Sequence, residues 1–130
     1  MSDLFKVTKT GDKVITLHLE GNLDAQTENE LVNMARNEFD SGTRFLLIDL
    51  RGVEVVSSAG LRALHVIYKI YTPENEIHDW KTANPHDVFK SPYFKLAQPS
   101  PQVHYVLSMS GFLQSLYIYP SITEALASFT

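Results

Sequence analysis

The run Phe45-Leu46-Leu47-Ile48-Asp49-Leu50 constrains this chain more than any other stretch, because only one of its side chains is charged. A strand apolar on both faces has to be covered on both, which suits an interior strand and more often a parallel than an antiparallel one. It marks the middle of a sheet. Arg51-Gly52 then turns the chain and Val53 to Val56 extends it. Ser57-Ser58-Ala59-Gly60 leads into Leu61, Leu64, His65, Ile67, Tyr68 and Tyr71, spaced as one face of a helix.

The neighbouring segments agree with a sheet. Phe5 to Val7 and Val14 to Leu19 are β-rich runs separated by Thr10-Gly11-Asp12-Lys13, the signature of a hairpin. In the second run Val14, Thr16 and His18 alternate with Ile15, Leu17 and Leu19, so one face looks inward. A helix is expected from Asp24 or Ala25, carried by Leu31, Val32, Met34, Ala35 and Phe39 and closed at Asp40-Ser41-Gly42, where glycine supplies a left-handed cap. Further on, Tyr93 to Ala97 reads as a strand, Val103 to Met109 as a helix closed by Gly111, Leu116 to Tyr119 as a strand and Ile122 to Phe129 as a last helix. Pro101, Ser121 and Thr123 stand near helix starts. Alternating strands and helices behind an opening hairpin predict an α/β fold with a mixed sheet.

Thr72 to Pro92 interrupts this alternation. The segment TPENEIHDWKTANPHDVFKSP repeats with neither period and holds the only tryptophan. It is expected to be a loop insertion at about 72–92 with Trp80 tucked down, and loops of that length are usually functional.

Length and charge bound the function. The 130 residues suit one domain, 1–130. No cysteine is present, so neither a disulfide nor a cysteine metal scaffold can form. The net charge of -4 argues against direct nucleic-acid binding, which wants a basic patch. The start MSDLFKVTKTG lacks the apolar core of a signal peptide, and no apolar run is long enough to insert in a membrane. A cytoplasmic protein with a protein partner or small ligand is expected.

The serine pair carries the most chemistry. One hydroxyl of Ser57-Ser58 can cap the helix that follows, by accepting from a free backbone N–H. A cap accounts for one serine and leaves the other. The pair lies beyond the C-terminal end of a strand, the edge on which open α/β sheets place ligand sites. A phosphate on Ser58 would meet the positive end of the helix dipole, so the fold would tolerate it while a docked partner would be repelled. Asp24, in Gly21-Asn22-Leu23-Asp24, has two open readings: it caps the first helix, or it shares that edge with Ser58 and orders the serine or a kinase's magnesium.

Taken together, Gly21-Asn22-Leu23-Asp24, Leu47-Ile48-Asp49-Leu50 with Val53, Ser58-Ala59-Gly60-Leu61-Arg62-Ala63-Leu64, and Val106-Leu107-Ser108-Met109-Ser110-Gly111-Phe112 resemble the STAS domain family, which includes bacterial anti-sigma factor antagonists. The resemblance implies a STAS-like mixed sheet of about four to five strands with about four helices packed mainly on one face. It also implies partner switching. The unphosphorylated domain binds a serine kinase of the GHKL type that acts as an anti-sigma factor, the kinase phosphorylates the serine that opens the second helix, and a phosphatase restores it. By position that serine is Ser58, with Ser57 as the alternative acceptor, and the partner surface comprises Asp24, Ser57, Ala59, Gly60, Leu61 and Arg62. No catalytic residues and no cofactor are implied. Ser57 stands where the best-known antagonists have an aspartate, Ala59 where they have a second hydroxyl, and the 72–92 segment where the family makes a short turn. A second reading is a fixed STAS-like scaffold subunit of a transporter ATPase or a sensory signalling complex, without phosphorylation.

Other chemistries find little footing. His18, His65, His78, His86 and His104 match no zinc spacing. Val-Ser-Ser-Ala-Gly is not the nucleophile elbow of a hydrolase. Tyr68, Tyr71, Tyr93, Tyr105, Tyr117 and Tyr119 read mostly as half-buried packing rather than as a platform for bases.

Overall fold

The structure, a computed structural model, describes residues 5–129. The chain opens with β1 (Lys6–Gly11) and β2 (Val14–Glu20), an antiparallel pair, then α1 (Glu28–Asp40) and β3 (Phe45–Gly52). Next come α2 (Ser58–Tyr71), α3 (Glu74–Ala83), β4 (Phe94–Ala97), α4 (Pro101–Met109), β5 (Ile118–Tyr119) and α5 (Ile122–Ala127). The strands lie in the order β1-β2-β3-β4-β5, and every pair after the hairpin is parallel. The apolar run Phe45 to Leu50 is thus the central strand of a five-stranded mixed sheet.

Alternation assigns the two faces. Leu46, Ile48 and Leu50 of β3 join Ile15, Leu17 and Leu19 of β2 and Phe94 and Leu96 of β4 in the main core. Leu31 and Ala35 of α1, Leu64 and Ile67 of α2, and Val103 and Leu107 of α4 close over them. Each such side chain contributes roughly 1.5–3 kcal/mol on leaving water. On the opposite face Leu47 and Ala97 meet Ala125 of α5. Three helices therefore share one face and α5 takes the other.

Beside α5, Lys95 is buried and donates from Nζ to the carbonyl and hydroxyl of Ser128, over the ring of Phe129. Burial pushes its pKa below the usual lysine range.

Two expectations need correcting. The first helix does not begin at Asp24 or Ala25. Leu23 bridges Val56 in parallel, prolonging the strand pairing, and the chain turns once more through Asp24–Thr27 before α1 starts at Glu28. Segment 72–92 is also not a loop throughout, because α3 occupies half of it. No residue of α3 is fully buried, so its sequence carries no apolar stripe. Glu74 and Glu76 in the first turn and Lys81 in the last suit the helix dipole instead.

The excursion is tied at its base. The Thr72 and Ser91 hydroxyls share a buried hydrogen bond of 2.8 Å, and Tyr93 donates to Glu76 Oε1 at 2.6 Å. Trp80 is half-buried, edge-on to Phe89 with ring centres 5.6 Å apart.

Candidate functional site

All parallel strands point one way, so the turns that follow β2, β3, β4 and β5 gather at one edge of the sheet. Backbone hydrogen bonds stitch two of these turns together. Gly21 N–H donates to the Gly52 carbonyl at 3.0 Å, Leu23 N–H to the Val55 carbonyl at 2.9 Å, and Ser57 N–H to the Leu23 carbonyl at 3.0 Å. Asp24 and Ser58 therefore belong to one rigid edge, although Asp24 lies outside the pair's hydrogen bonds.

The serine pair divides its labour. Ser57 is the N-cap of α2, extended at φ -84° and ψ 178°, and its Oγ accepts from Gly60 N–H at 3.3 Å. Ser58 is the first helical residue and is exposed. Its hydroxyl has no hydrogen-bond partner among the described residues. Ala59 and Gly60 are buried, Leu61 packs half-buried against the core, and Arg62 returns to the surface.

Gly60 sets how closely α2 approaches the sheet. A Cβ at this position would stand 2.3 Å from the Leu23 carbonyl oxygen. Only a residue without a side chain fits, so the start of α2 is pinned against the β2–α1 turn.

Asp24 is committed to its own turn. Its Oδ1 accepts from Gln26 N–H at 3.0 Å, while its N–H donates to Thr27 Oγ1 at 3.0 Å. The Thr27 hydroxyl in turn donates to the Asn22 carbonyl at 2.9 Å. Asp24 thus caps the turn before α1 rather than the helix itself, and the residue at the helix's N-cap is Thr27. Close by, Arg62 Nη2 and Nε donate to the two carboxylate oxygens of Glu28 at 2.9 and 3.2 Å, bridging α2 to α1. That hydrogen bonding raises the Arg62 pKa further. Glu54, in the turn before the serines, is exposed as well.

A groove beside the serines escaped the sequence reading. Val55, Pro101 and Tyr105 line a largely apolar cleft between the β3–α2 turn and α4. Tyr105 is 63% exposed and Val55 50%. Tyr105 and Tyr117 face outward, while Tyr71 is buried and Tyr68, Tyr93 and Tyr119 are half-buried, so most of the tyrosines pack as expected. Val53 and Val56 are buried while Val55 is exposed, which is not the alternation of a strand, so no period in the sequence marked this groove.

The histidines do not assemble. Among the described residues no three His, Asp or Glu side chains are grouped to hold a metal. His18 instead joins a polar chain on the sheet face opposite the main core. Its Nε2 lies 2.8 Å from Thr10 Oγ1 and its Nδ1 2.6 Å from Asp49 Oδ2, while Asp49 Oδ1 accepts from Arg51 N–H and Gln98 Nε2. Burial pushes the Asp49 carboxyl up, but these donors outweigh it and hold the group below its ordinary value. Gln98 sits in the left-handed region at φ 57°. This chain links β1, β2, β3 and the end of β4, and no spacing in the sequence announces it.

Comparison with known proteins covers nearly the whole chain. The STAS domain model matches residues 6–75. An anti-sigma factor antagonist from Mycobacterium paratuberculosis superposes with a TM-score of 0.74 at 20% identity, covering 96% of this chain and 93% of that one. An anti-sigma-factor antagonist (STAS) domain protein from Planctomyces limnophilus gives 0.71 at 19% identity, covering 95% and 97%. The phosphorylated form of the Bacillus cell fate determinant SpoIIAA gives 0.62 at 14% identity, covering 97% and 99%. No curated protein sequence matches the chain significantly. Among the described residues no helix is long and apolar enough to cross a membrane.

Proposed function

Because the chain belongs to the STAS domain family, we propose that it is a phosphorylation-controlled protein-binding regulator of the anti-sigma factor antagonist type. While Ser58 is unmodified it binds, in the cytoplasm, a serine kinase that serves as an anti-sigma factor, and it makes no direct contact with nucleic acid. The observation that carries this reading is the split between the two serines: Ser57 is used by the cap, and Ser58 stands free and exposed one residue later.

The chemistry belongs to the partners. Ser58 Oγ bonds to the γ-phosphorus of ATP as the bond to ADP breaks, and the hydroxyl proton leaves with the kinase's base. A phosphatase later returns the phosphoryl group to water. This chain contributes a rigid acceptor. The added charge of about -2 lies at the N-terminus of α2, where the dipole favours it, so the fold persists while the docking face becomes more acidic and more strongly hydrated. Asp24, Ser57, Leu61 and Arg62 present that face, with the buried Ala59 and Gly60 beneath it and the Ser57 cap fixing its shape and Asp24 and Arg62 its charge. The chain is a ligand for enzymes rather than an enzyme.

Incubation with the partner kinase and ATP, followed by peptide mapping, tests the assignment. Phosphate is expected on Ser58, lost in Ser58→Ala and kept in Ser57→Ala, and Ser58→Asp should release the partner. Phosphate found elsewhere, or unchanged partner affinity in Ser58→Asp, sinks it.

One observation favours a second reading, a fixed scaffold subunit of a transporter ATPase or sensory signalling complex. Helix α3 is held to the sheet by Tyr93–Glu76 and the Thr72–Ser91 pair, so the 72–92 excursion is a built feature able to hold a permanent partner. A complex that survives kinase and phosphatase treatment alike would select it.

A further inference from the structure

Arg62 and Ser58 are four residues apart on α2, hence neighbours on one helix face. Each Cα–Cβ bond in a helix tilts toward the N-terminus, so the Arg62 side chain leans back toward Ser58. In the unmodified protein the guanidinium is held elsewhere, in the two-pronged pair with Glu28 of α1. Arg62 is exposed, so a move of its tip displaces nothing in the core. A phosphoserine would offer it a doubly charged acceptor with more oxygens than a carboxylate, at shorter sequence range.

We infer that Arg62 is a phosphate-responsive side chain, which leaves Glu28 and pairs with the phosphoryl group when Ser58 is phosphorylated. The inference rests on the reading of Ser58 as acceptor and adds to it how the mark spreads. Once Arg62 departs, Glu28 is left as an unpaired carboxylate on α1, and α1 loses one tie to α2. Modification of one residue then alters charge on two helices, and an acidic partner is opposed across both.

The test uses the full chain with phosphoserine inserted at position 58 during translation, so it needs no kinase. Phosphorus NMR follows the second ionisation of the phosphate, near 6 when unperturbed, in the intact sequence, Arg62→Gln, Glu28→Gln and the double variant. A nearby guanidinium favours the dianion, so Arg62→Gln should raise that midpoint by about 0.3 pH unit, the size expected of a helix-surface ion pair. Glu28→Gln should lower it, and by more when Arg62 is present than when it is absent, because only then is a competitor for the guanidinium removed. The Arg62 Nε resonance should also move on phosphorylation. Equal midpoints with and without Arg62, or a Glu28→Gln effect independent of Arg62, overturns the exchange. Ser58 and Arg62 are exposed and Glu28 is half-buried, and circular dichroism confirms folding of each variant. Failure to find a kinase for Ser58 would sink the functional reading and leave this titration intact, whereas a phosphate indifferent to Arg62 would sink only the exchange.

Discussion

Gly60 and Leu23 meet so closely that the hydrogen on the glycine Cα occupies the only space left before the Leu23 carbonyl oxygen; a methyl group there would stand 2.3 Å from that atom. The contact joins the N-terminus of α2 to the turn before α1. It fixes where Ser58 stands relative to Asp24 and Arg62, and the exposure of one hydroxyl follows from it.

Gly60→Ala should therefore destabilise the domain by about 1–3 kcal/mol, the cost of forcing extra volume against backbone that cannot yield. Urea denaturation measures it. Stability within about 0.5 kcal/mol of the parent, the range for innocuous surface changes, would mean that the turn gives way easily.

The two serines should separate by stability alone. Ser57→Ala removes the acceptor for Gly60 N–H and is expected to cost about 1 kcal/mol, as cap deletions do. Ser58→Ala removes an exposed hydroxyl without a partner among the described residues and should change stability by less than about 0.5 kcal/mol. Equal losses in both would contradict the assignment of Ser57 as cap.

Acid should reveal Asp49. Its folded-state pKa lies below the ordinary 3.8, so the folded carboxyl holds its proton less readily than the unfolded one. The stabilisation is fully present above pH 3.8 and is lost as pH falls through the lower folded value. Asp49→Asn should flatten the stability curve in that acid range, and should cost about 1–3 kcal/mol at neutral pH by disrupting a nearly buried set of donors. Parallel acid-unfolding curves for the two proteins would refute this.

Ser91→Ala should loosen the excursion. It leaves the buried Thr72 hydroxyl without its partner and removes the oxygen that accepts from Tyr93 and Phe94 N–H. A loss of about 1–3 kcal/mol is expected, with faster amide exchange at α3 than at α2. Unchanged exchange at α3 would show that Tyr93–Glu76 and Trp80–Phe89 hold it alone.

Local pattern accounts for the parts of the fold that were legible. Leu46, Leu47, Ile48 and Leu50 announced a strand covered on both sides, and Gly42, at φ 112°, ended α1 as its position implied. The face of α2 was readable from Leu64, Ile67 and Tyr71, all buried as spaced. Helix α3 was not, because a helix with no buried residue has no period to detect. The start of α1 was missed for a different reason: Asp24 resembles a cap, but Leu23 pairs with Val56, a partner distant in sequence, and delays the helix by a turn.

By itself the sequence determined which segments would be strands and helices around β3, and that a serine pair would open α2, since both follow from side-chain period and chain chemistry within a few residues. The tertiary structure alone decided which serine is bound and which is free, that His18 meets Asp49, and that Arg62 holds Glu28. Those outcomes depend on strand register and on how closely α2 seats on Leu23, and register is fixed by the summed burial of two whole faces rather than by any neighbour along the chain.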